Sequence, residues 1–549
     1  MATKDTSTLD PNDPEVRLSQ FLFVGKERSD YQPGYWFVHN YFLAKNVLSI
    51  EELAEDSNKE LLPIKIIMEA FESGLVPNPE TMVFALAVCC RQTKSERLRH
   101  AAYVFLKKIC QSAQHFILFV KFATQLSKQR ELEPDNGPKA GWGNGIRKAV
   151  NDWYLSKEPL ELAKCVTRYK GRYGWKHKDI VKLSHIQVKE PGMEAVLKYV
   201  MHGLEATKKS YGEDSKVSDI LKYIQDVEDF KHCQDEIGAA GLLEMYDLTL
   251  DHVPGHLLRS REVWNALIPK MSLITLLNSL QRIHNLDLLK PNSPTVGKIV
   301  DLIVNEENLA RDRVHPALVL ITIRNYENSG KPLTFEKRKI KELAKKPFPT
   351  PPKPNLKIID ALYKTLNLSF AHLQPTGLRY MITINMNKAM LESRAWRSGN
   401  VNGAEAGCMI ALALLRCEKT VTVATFKNVG IHVNIDKTAS FGQAMRRLQQ
   451  MPVGNVNLGK PMSWASYQNK KFDVFINIVE QIFEKSDPSE SSLEAYRTKM
   501  KLPNTKLINC AVCSSSAYPK NKRDKNILTI SGFDATIPTV IQAFSKSLF

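Results

Sequence analysis

The chain has 549 residues, more than a single hydrophobic core usually supports, so at least two folding units are expected. Its formal net charge of +18 and its isoelectric point near 9.3 favour an anionic partner, with nucleic acid as the leading class. The sequence lacks both a signal-type apolar segment and an apolar window of membrane length, so we expect a soluble intracellular protein rather than a secreted or membrane-bound one.

Helical patterns dominate the first part of the chain. Residues 1–16 are typical of a polar tail, and residues 17–345 form a succession of amphipathic patterns separated by short polar turns. Two apolar stripes are formed by Leu98, Ala101, Ala102, Phe105 and Ile109, and by Met193, Val196, Leu197, Val200 and Leu204. Neither strand alternation nor a fixed sequence period is evident in this region. Single-sided helices of this kind predict antiparallel pairs stacked as an irregular α-solenoid of divergent repeats.

The stretch from residue 141 to residue 190 combines positive charge with aromatic rings. It holds 11 Lys and Arg against 5 Asp and Glu, a local excess of +6. A buried helix stripe is predicted for Ile146, Ala149, Val150, Trp153 and Tyr154. Pro159 suits the first turn of a second helix, and a basic, aromatic loop follows it. Such a cluster attracts phosphates and stacks on unpaired bases; the alternative is a solvated helix face whose aromatic residues fill the core.

The character of the chain changes after residue 345. Residues 346–368 are rich in Pro and Lys and predict a linker. From residue 369 to 549, β-branched runs alternate with helical patterns, which predicts a doubly wound, largely parallel α/β domain. The predicted strands are 379–386, 419–426, 430–435, 472–478 and 505–512, with helices near 402–417, 439–451, 490–501 and 537–547. Functional loops in such sheets follow the strand ends, here after Met386, Pro452 and Ile478.

The cysteines and the short motifs argue against several kinds of chemistry. The chain has nine scattered cysteines, which is typical of reduced, mostly buried thiols. Cys510 and Cys513 form a C-x-x-C pair, but without a second pair at finger spacing we favour core thiols over zinc or redox chemistry. A P-loop, a G-x-S-x-G elbow and an H-E-x-x-H motif are all missing from the sequence. We therefore expect a protein that is not an enzyme.

Seven motifs occur in unbroken order along almost the whole chain. They are GWGNGIRKAVNDWY (141–154), TRYKGRYGWKHKDIVKLSH (167–185), EVWNALIPKMSLITLLNSL (262–280), PTGLRYMI (375–382), PVGNVNLGKPMSWA (452–465), FDVFI (472–476) and SGFDA (531–535). In these motifs the sequence resembles the Ro autoantigen family, whose members combine a TROVE module with a von Willebrand factor A domain. The resemblance implies a ring of HEAT-like helical repeats followed by an A-type domain.

The resemblance also implies a function. The family binds small noncoding Y RNAs on a basic outer surface and receives single-stranded 3′ ends of misfolded noncoding RNAs in the ring, a role in RNA quality control. Its RNA contact region corresponds by position to Arg168, Arg172 and His185. The candidate RNA-binding residues are Arg147, Lys148, Arg168, Lys170, Arg172, Lys176, Lys178, Lys182 and His185. A histidine at a helix end is more often a local cap, but the matched motif favours hydrogen bonding or stacking on RNA.

The A-type domain departs from the family at its metal site. The resemblance implies an adhesion site of the D-x-S-x-S type, completed by a Thr and by an acid on two further loops, which holds Mg²⁺ through hard oxygen ligands. This chain has Asn385, Asn387 and Ala389 in the first motif, Val456 in place of the Thr, and Glu480 as the single acid. We therefore expect no bound Mg²⁺ and no other cofactor. The domain would serve as a structural wall of the ring or as a metal-independent protein contact.

Two functional hypotheses follow. The first is a monomeric, ring-shaped RNA-binding protein of the cytoplasm, with the nucleus as a second compartment, that binds Y-like small RNAs and the 3′ ends of misfolded RNAs. The alternative is a metal-independent protein-interaction scaffold without specific RNA binding, whose helical ring and A-type domain bind polypeptides. A steep salt dependence of RNA binding would favour the first, and RNA-independent co-purification of a protein would favour the second.

Overall fold

The computed structural model describes residues 10–34, 42–131, 142–169, 171–246, 248–329, 352–482, 488–516 and 524–549. These residues form two compact units. The first contains the described residues up to Arg28, residues 42–258, and Leu548 and Phe549. The second contains Ser29–Gly34, which includes strand β1 (Asp30–Tyr31), and Arg259–Ser547. No helix in the described ranges is long and apolar enough to cross a membrane.

The first unit is almost entirely helical. Its helices are α1 (Pro14–Val24), α2 (Ser49–Glu55), α3 (Leu62–Ser73), α4 (Pro79–Arg91), α5 (Glu96–Ile109), α6 (Ala113–Glu131), α7 (Asn144–Leu155), α8 (Pro159–Arg168), α9 (His177–Ser184), α10 (Pro191–His202), α11 (Leu204–Tyr211), α12 (Ser218–His232) and α13 (Glu236–Met245). A short antiparallel hairpin joins α8 to α9 and consists of β2 (Gly171–Arg172) and β3 (Trp175–Lys176). Neighbouring helices pack pairwise, for example α4 on α5 and α6.

The apolar stripes and the proline position in the sequence predicted several of these helices correctly. In α7 all the residues of the predicted stripe are buried, and Pro159 occupies the first turn of α8. The stripes predicted around residues 98–109 and 193–204 lie in α5, α10 and the start of α11. Helix α1 begins at Pro14, where Asp13 caps it by accepting a hydrogen bond from the Glu15 N–H, so the predicted polar tail is shorter than 16 residues.

The second unit opens with helices and ends with an α/β domain. The helices are α14 (Arg261–Leu267), α15 (Leu273–Asn285), α16 (Pro294–Ile303), α17 (Glu306–Arg311), α18 (Pro316–Glu327) and α19 (Leu356–Ser369). The α/β part contains β4 (Arg379–Ile384), α20 (Lys388–Glu392), α21 (Gly403–Cys417), β5 (Thr420–Thr425), α22 (Phe441–Gln449), α23 (Lys460–Tyr467), β6 (Val474–Val479), α24 (Ser489–Met500), β7 (Lys506–Ala511), β8 (Ile527–Ser531) and α25 (Ile537–Ser545). Its six parallel strands run in the order β1-β8-β7-β6-β4-β5.

The doubly wound parallel sheet is confirmed, with corrections to its strands. The prediction of a strand at 430–435 is wrong, because that run makes only one bridge, between His432 and Ala424 at the end of β5. Strands β8 and β1 were not predicted; β1 has two residues and carries no periodicity of its own. Residues 356–368 belong to α19, so the linker predicted for 346–368 does not extend that far.

The compact units do not divide where the composition changes. Helices α14–α19 belong to the same unit as the α/β domain, and the division lies between residues 258 and 259. Of the predicted domain limits, the one after residue 345 stays a prediction, and the compact units do not divide there.

Candidate nucleic-acid interface

The predicted basic residues lie on four consecutive elements of the first unit: α7, the end of α8, the β2–β3 hairpin and α9. The exposed members of the set are Lys148, Arg168, Arg172, Lys176, Lys178, Lys182 and His185. Arg147 is half-buried, and Lys170 lies outside the described residues. Helix α9 packs against α7, and α10 packs against both α8 and α9. One scaffold of short helices therefore carries the whole described set.

The tight turn of the hairpin depends on an unusual backbone. Tyr173 and Gly174 connect β2 to β3 with φ of +55° and +83°, the left-handed pair that a two-residue hairpin loop of type I′ requires. A bulky residue rarely adopts this conformation. Here the Tyr173 hydroxyl accepts a hydrogen bond of 3.1 Å from the Gln114 amide, and the Lys121 ammonium lies 5.8 Å from the ring centre. Helix α6 thus holds the loop in place.

Arg168, at the end of α8, is engaged by an acid distant in sequence. Its Nε and Nη2 donate to the Asp251 carboxylate at 3.0 and 2.6 Å, and the Tyr169 hydroxyl donates to the same oxygen at 2.9 Å. Burial alone would raise the pKa of Asp251, but the hydrogen bonds from Arg168 and Tyr169 outweigh it and lower that pKa. The acid therefore stays ionised and balances part of the positive charge at this point.

Guanidinium groups and aromatic rings alternate across the hairpin. The Arg172 guanidinium carbon lies 5.5 Å from the Tyr169 ring centre and 5.6 Å from that of Tyr173. On the other strand, the half-buried Trp175 ring lies 6.0 Å from the buried Trp142 ring. Exposed guanidinium planes next to aromatic faces can bind phosphate and stack on an unpaired base.

Helix α9 presents a row of positive charge. Lys178 and Lys182 are four residues apart and both exposed, and His185 follows at the C-terminal end with φ of +51°. The start of the same helix is fixed from inside the unit, where the Nδ1 of buried His177 lies 2.7 Å from the Tyr154 hydroxyl. Burial lowers the pKa of His177 to about 4, so this imidazole is neutral at pH 7 and acts as a structural anchor.

Three residues that contact the basic cluster were not predicted from the sequence. Asp251, Gln114 and Lys121 reach the basic cluster from positions tens of residues away. No local spacing connects them to the hairpin, and only the packing of α6 and of the 250–252 turn brings them there. A single sequence contains no signal that would have identified them.

Three of the positions that correspond to the family's metal site meet at the carboxyl edge of the sheet in the second unit. Asn385 and Asn387 follow β4, and Glu480 follows β6. The Nδ2 atoms of the two amides donate to the two carboxylate oxygens of Glu480, at 2.7 Å from Asn385 and 2.8 Å from Asn387. Ala389 lies in α20, and Val456 is 39% exposed in the loop before α23. In the described ranges, His, Cys, Asp and Glu side chains form no group of three that could hold a metal ion.

Comparison with known proteins places both parts of the chain. Residues 13–374 match the TROVE domain, and residues 379–545 match the Ro60 vWA domain. An RNA-binding protein RO60 of Caenorhabditis elegans is 23% identical over 602 aligned positions, covering 97% of this chain and 88% of the relative. An RNA-binding protein RO60 of Deinococcus radiodurans is also 23% identical, over 97% of this chain and 92% of the relative.

A solved structure agrees with this placement at the level of the fold. The crystal structure of the Deinococcus radiodurans RO (RSR) protein superimposes with a TM-score of 0.81 at 22% sequence identity, over 98% of this chain and 100% of that chain. The TROVE match alone spans more than half of the chain. With its helical N-terminal region followed by an A-type domain of parallel strands, the chain belongs to the Ro family of TROVE-domain proteins.

Proposed function

We propose that this chain is a non-enzymatic RNA-binding protein that forms a ribonucleoprotein with small, structured noncoding RNAs of the Y type. In the same proposal it also binds single-stranded 3′ ends of misfolded noncoding RNAs and acts in RNA quality control, in the cytoplasm and also in the nucleus. The observation that carries the proposal is the continuous basic and aromatic surface of the hairpin and α9. The names of the relatives, which describe RNA-binding proteins, support it.

The chemistry of the surface suits RNA more than it suits a protein. Lys178 and Lys182 are compact charges that neutralise phosphates, whereas Arg172 offers a planar group next to the Tyr169 and Tyr173 rings. The lysines would contact the phosphate backbone of the RNA, and the arginine with its neighbouring rings would contact unstacked bases. Recognition would therefore rest on RNA shape and on unpaired nucleotides rather than on a base sequence.

A second candidate function is a protein-interaction scaffold that binds through the A-type domain. One observation favours it: Ile431, Val453 and Val456 lie in the loops after β5 and α22, with 49%, 49% and 39% of their surface exposed. Exposed apolar side chains can contribute to a protein contact. Their number is small, and RNA binding remains the better-supported function.

The decisive experiment measures the affinity of the full chain for a small structured RNA with a single-stranded 3′ tail at several salt concentrations. The test variant changes Arg172, Lys178 and Lys182 to Ala, three exposed cations that form no ion pair with the other described residues. The matched control changes Lys209, Lys216 and Lys222, exposed cations of α11, α12 and the turn between them. Both variants lose three charges.

Loss of phosphate contacts should weaken binding and flatten its salt dependence. Each lost contact removes about 0.7–0.9 from the slope of log affinity against log salt. We expect that reduction of the slope in the variant that lacks Arg172, Lys178 and Lys182, together with a loss of affinity of about tenfold or more. The control variant should retain the slope of the parent. Equal effects in both variants would show that binding follows net charge alone, and the scaffold function would then be preferred.

A further inference from the structure

The carboxyl edge of the sheet in the A-type domain contains a closed hydrogen-bond network. Glu480 accepts one amide donor on each carboxylate oxygen, at 2.7 and 2.8 Å. The carbonyl ends of the same amides are also occupied: Asn387 Oδ1 accepts from the Met390 N–H at 2.9 Å and caps α20, and Asn385 Oδ1 accepts from the Asn387 N–H at 3.3 Å. Each amide therefore donates through its Nδ2 and accepts through its Oδ1.

The amides suit these positions better than the Asp and Ser of the family's motif would. An aspartate at 385 has no amide N–H to donate and would place a second acid 2.7 Å from that of Glu480, where like charges repel. A serine at 387 has a shorter side chain and one hydroxyl, so it would not reach both α20 and Glu480. Asn385 is 98% buried, so a donor left without its partner there would carry a desolvation penalty.

The arrangement does not fit a magnesium ion. Mg²⁺ requires oxygen ligands in near-octahedral geometry, and positions 389 and 456 offer only a methyl and an isopropyl group. The two amides direct N–H groups, not oxygens, towards Glu480. The acid that remains from the family's ligand set is thus already satisfied by neutral donors.

We propose that an amide–carboxylate clasp, formed by Asn385, Asn387 and Glu480, replaces the divalent cation of the family at this sheet edge. The clasp connects the loop after β4 to the loop after β6, as a cation bound by both loops would. The loops consequently keep their arrangement whether or not Mg²⁺ is present. This inference concerns the second unit and is independent of RNA binding by the first.

The test compares thermal unfolding of the full chain in millimolar Mg²⁺ and in chelator. The parent should unfold at the same temperature in both buffers. Glu480→Gln converts one acceptor into a donor that faces an amide donor, so its midpoint should fall by about 2–4 °C, equally in both buffers. The midpoint of Asn385→Asp should fall by a similar amount in chelator, because two carboxylates then face each other. In Mg²⁺ this midpoint should recover part of the loss.

Direct titration with Mg²⁺ by calorimetry keeps the proposal testable if a variant does not fold. The parent should release no saturable heat of Mg²⁺ binding. A parent midpoint that rises with Mg²⁺, or a saturable heat of Mg²⁺ binding to the parent, would overturn the clasp and restore a cation site. Unchanged midpoints for Glu480→Gln and Asn385→Asp in both buffers would overturn it as well, since the network would then contribute nothing.

Discussion

At the scale of single residues, Asp251 determines how much of the positive charge of Arg168 is available. The acid accepts two hydrogen bonds from Arg168 and one from Tyr169, and its side chain is 32% exposed. A phosphate approaching Arg168 must share the guanidinium with this carboxylate or displace it. Asp251 thus competes with RNA while it orders the two side chains.

Neutralising this acid should strengthen RNA binding. In Asp251→Asn the carbonyl oxygen still accepts from Arg168 but the negative charge is lost, so we expect a gain of roughly two- to tenfold in affinity at low salt. The free energy of unfolding should fall by about 1 kcal/mol or less, since the pair is partly exposed. Asp219→Asn, an exposed acid on α12, matches the change in net charge. A loss of affinity in Asp251→Asn would show that the ion pair positions Arg168 for RNA.

Lys506 introduces a pH dependence into the stability of the second unit. Its side chain is almost fully buried, donates to the Phe544 carbonyl and lies 4.8 Å from the Phe544 ring centre. Burial lowers its pKa to about 7. The unfolded chain therefore binds one more proton than the folded chain between about pH 7 and the ordinary lysine range, and stability rises with pH through that window.

Removing the amine should remove this slope. In Lys506→Met we expect the free energy of unfolding to lose a pH dependence of up to about 1.4 kcal/mol per pH unit above pH 7, measured by urea denaturation at pH 7, 8 and 9. Below pH 7 the amine is protonated in both states and contributes no slope. Identical slopes in parent and variant above pH 7 would mean that Lys506 remains charged in the folded protein.

At the scale of elements, the shape of the β2–β3 hairpin depends on the glycine in its turn. Gly174 has φ of +83° with open space around its α-carbon, so a side chain there is strained by the backbone and not by a clash. In Gly174→Ala we expect a cost of about 1–2 kcal/mol, confined to the hairpin, and up to about tenfold weaker RNA binding.

The control for this substitution lies in the same stretch. Gly143 precedes α7 with φ of −61° and also has open space, so Gly143→Ala adds the same methyl group without backbone strain. Its RNA affinity should match that of the parent. Equal weakening in both variants would trace the effect to added bulk rather than to the shape of the turn.

The elements that could be predicted from the sequence obey local rules. The stripe of α7 and the proline at the start of α8 are patterns of 3.6-residue periodicity and of fixed φ, and neither needs a distant partner. The mistaken strand at 430–435 shows the limit of that reasoning. Its β-branched residues suit a strand, but the run pairs with β5 only at the bridge between His432 and Ala424 and forms no continuous ladder.

The candidate interface was predictable in composition but not in geometry. Exposure of Arg172, Lys178 and Lys182 follows from the helix and loop pattern of their own segment. The engagement of Arg168 by Asp251 crosses 83 positions, and the pairing of Glu480 with Asn385 crosses 95. Such contacts depend on tertiary packing. The residues that differ from the family's metal site could therefore be identified in the sequence, but the hydrogen bonds between them could not.

At the scale of the whole molecule, the candidate RNA interface and the amide–carboxylate clasp belong to different compact units. The hairpin, α7, α8 and α9 all lie in the first unit, whereas Lys506 and the clasp of Asn385, Asn387 and Glu480 lie in the second. Each unit is larger than a typical single domain and has its own buried core. A ligand that binds one folded unit stabilises that unit by mass action.

Calorimetry of the full chain should therefore resolve two unfolding transitions. Saturating RNA, at about 100 times its dissociation constant, should stabilise the first unit by about 2.7 kcal/mol and raise that transition by several degrees, while the other stays in place. Glu480→Gln should have the opposite selectivity and lower only the transition that RNA leaves unchanged. Because the two perturbations act on different units, their effects in combination should add. A single transition that moves with both RNA and Glu480→Gln would instead show that the units unfold as one cooperative body.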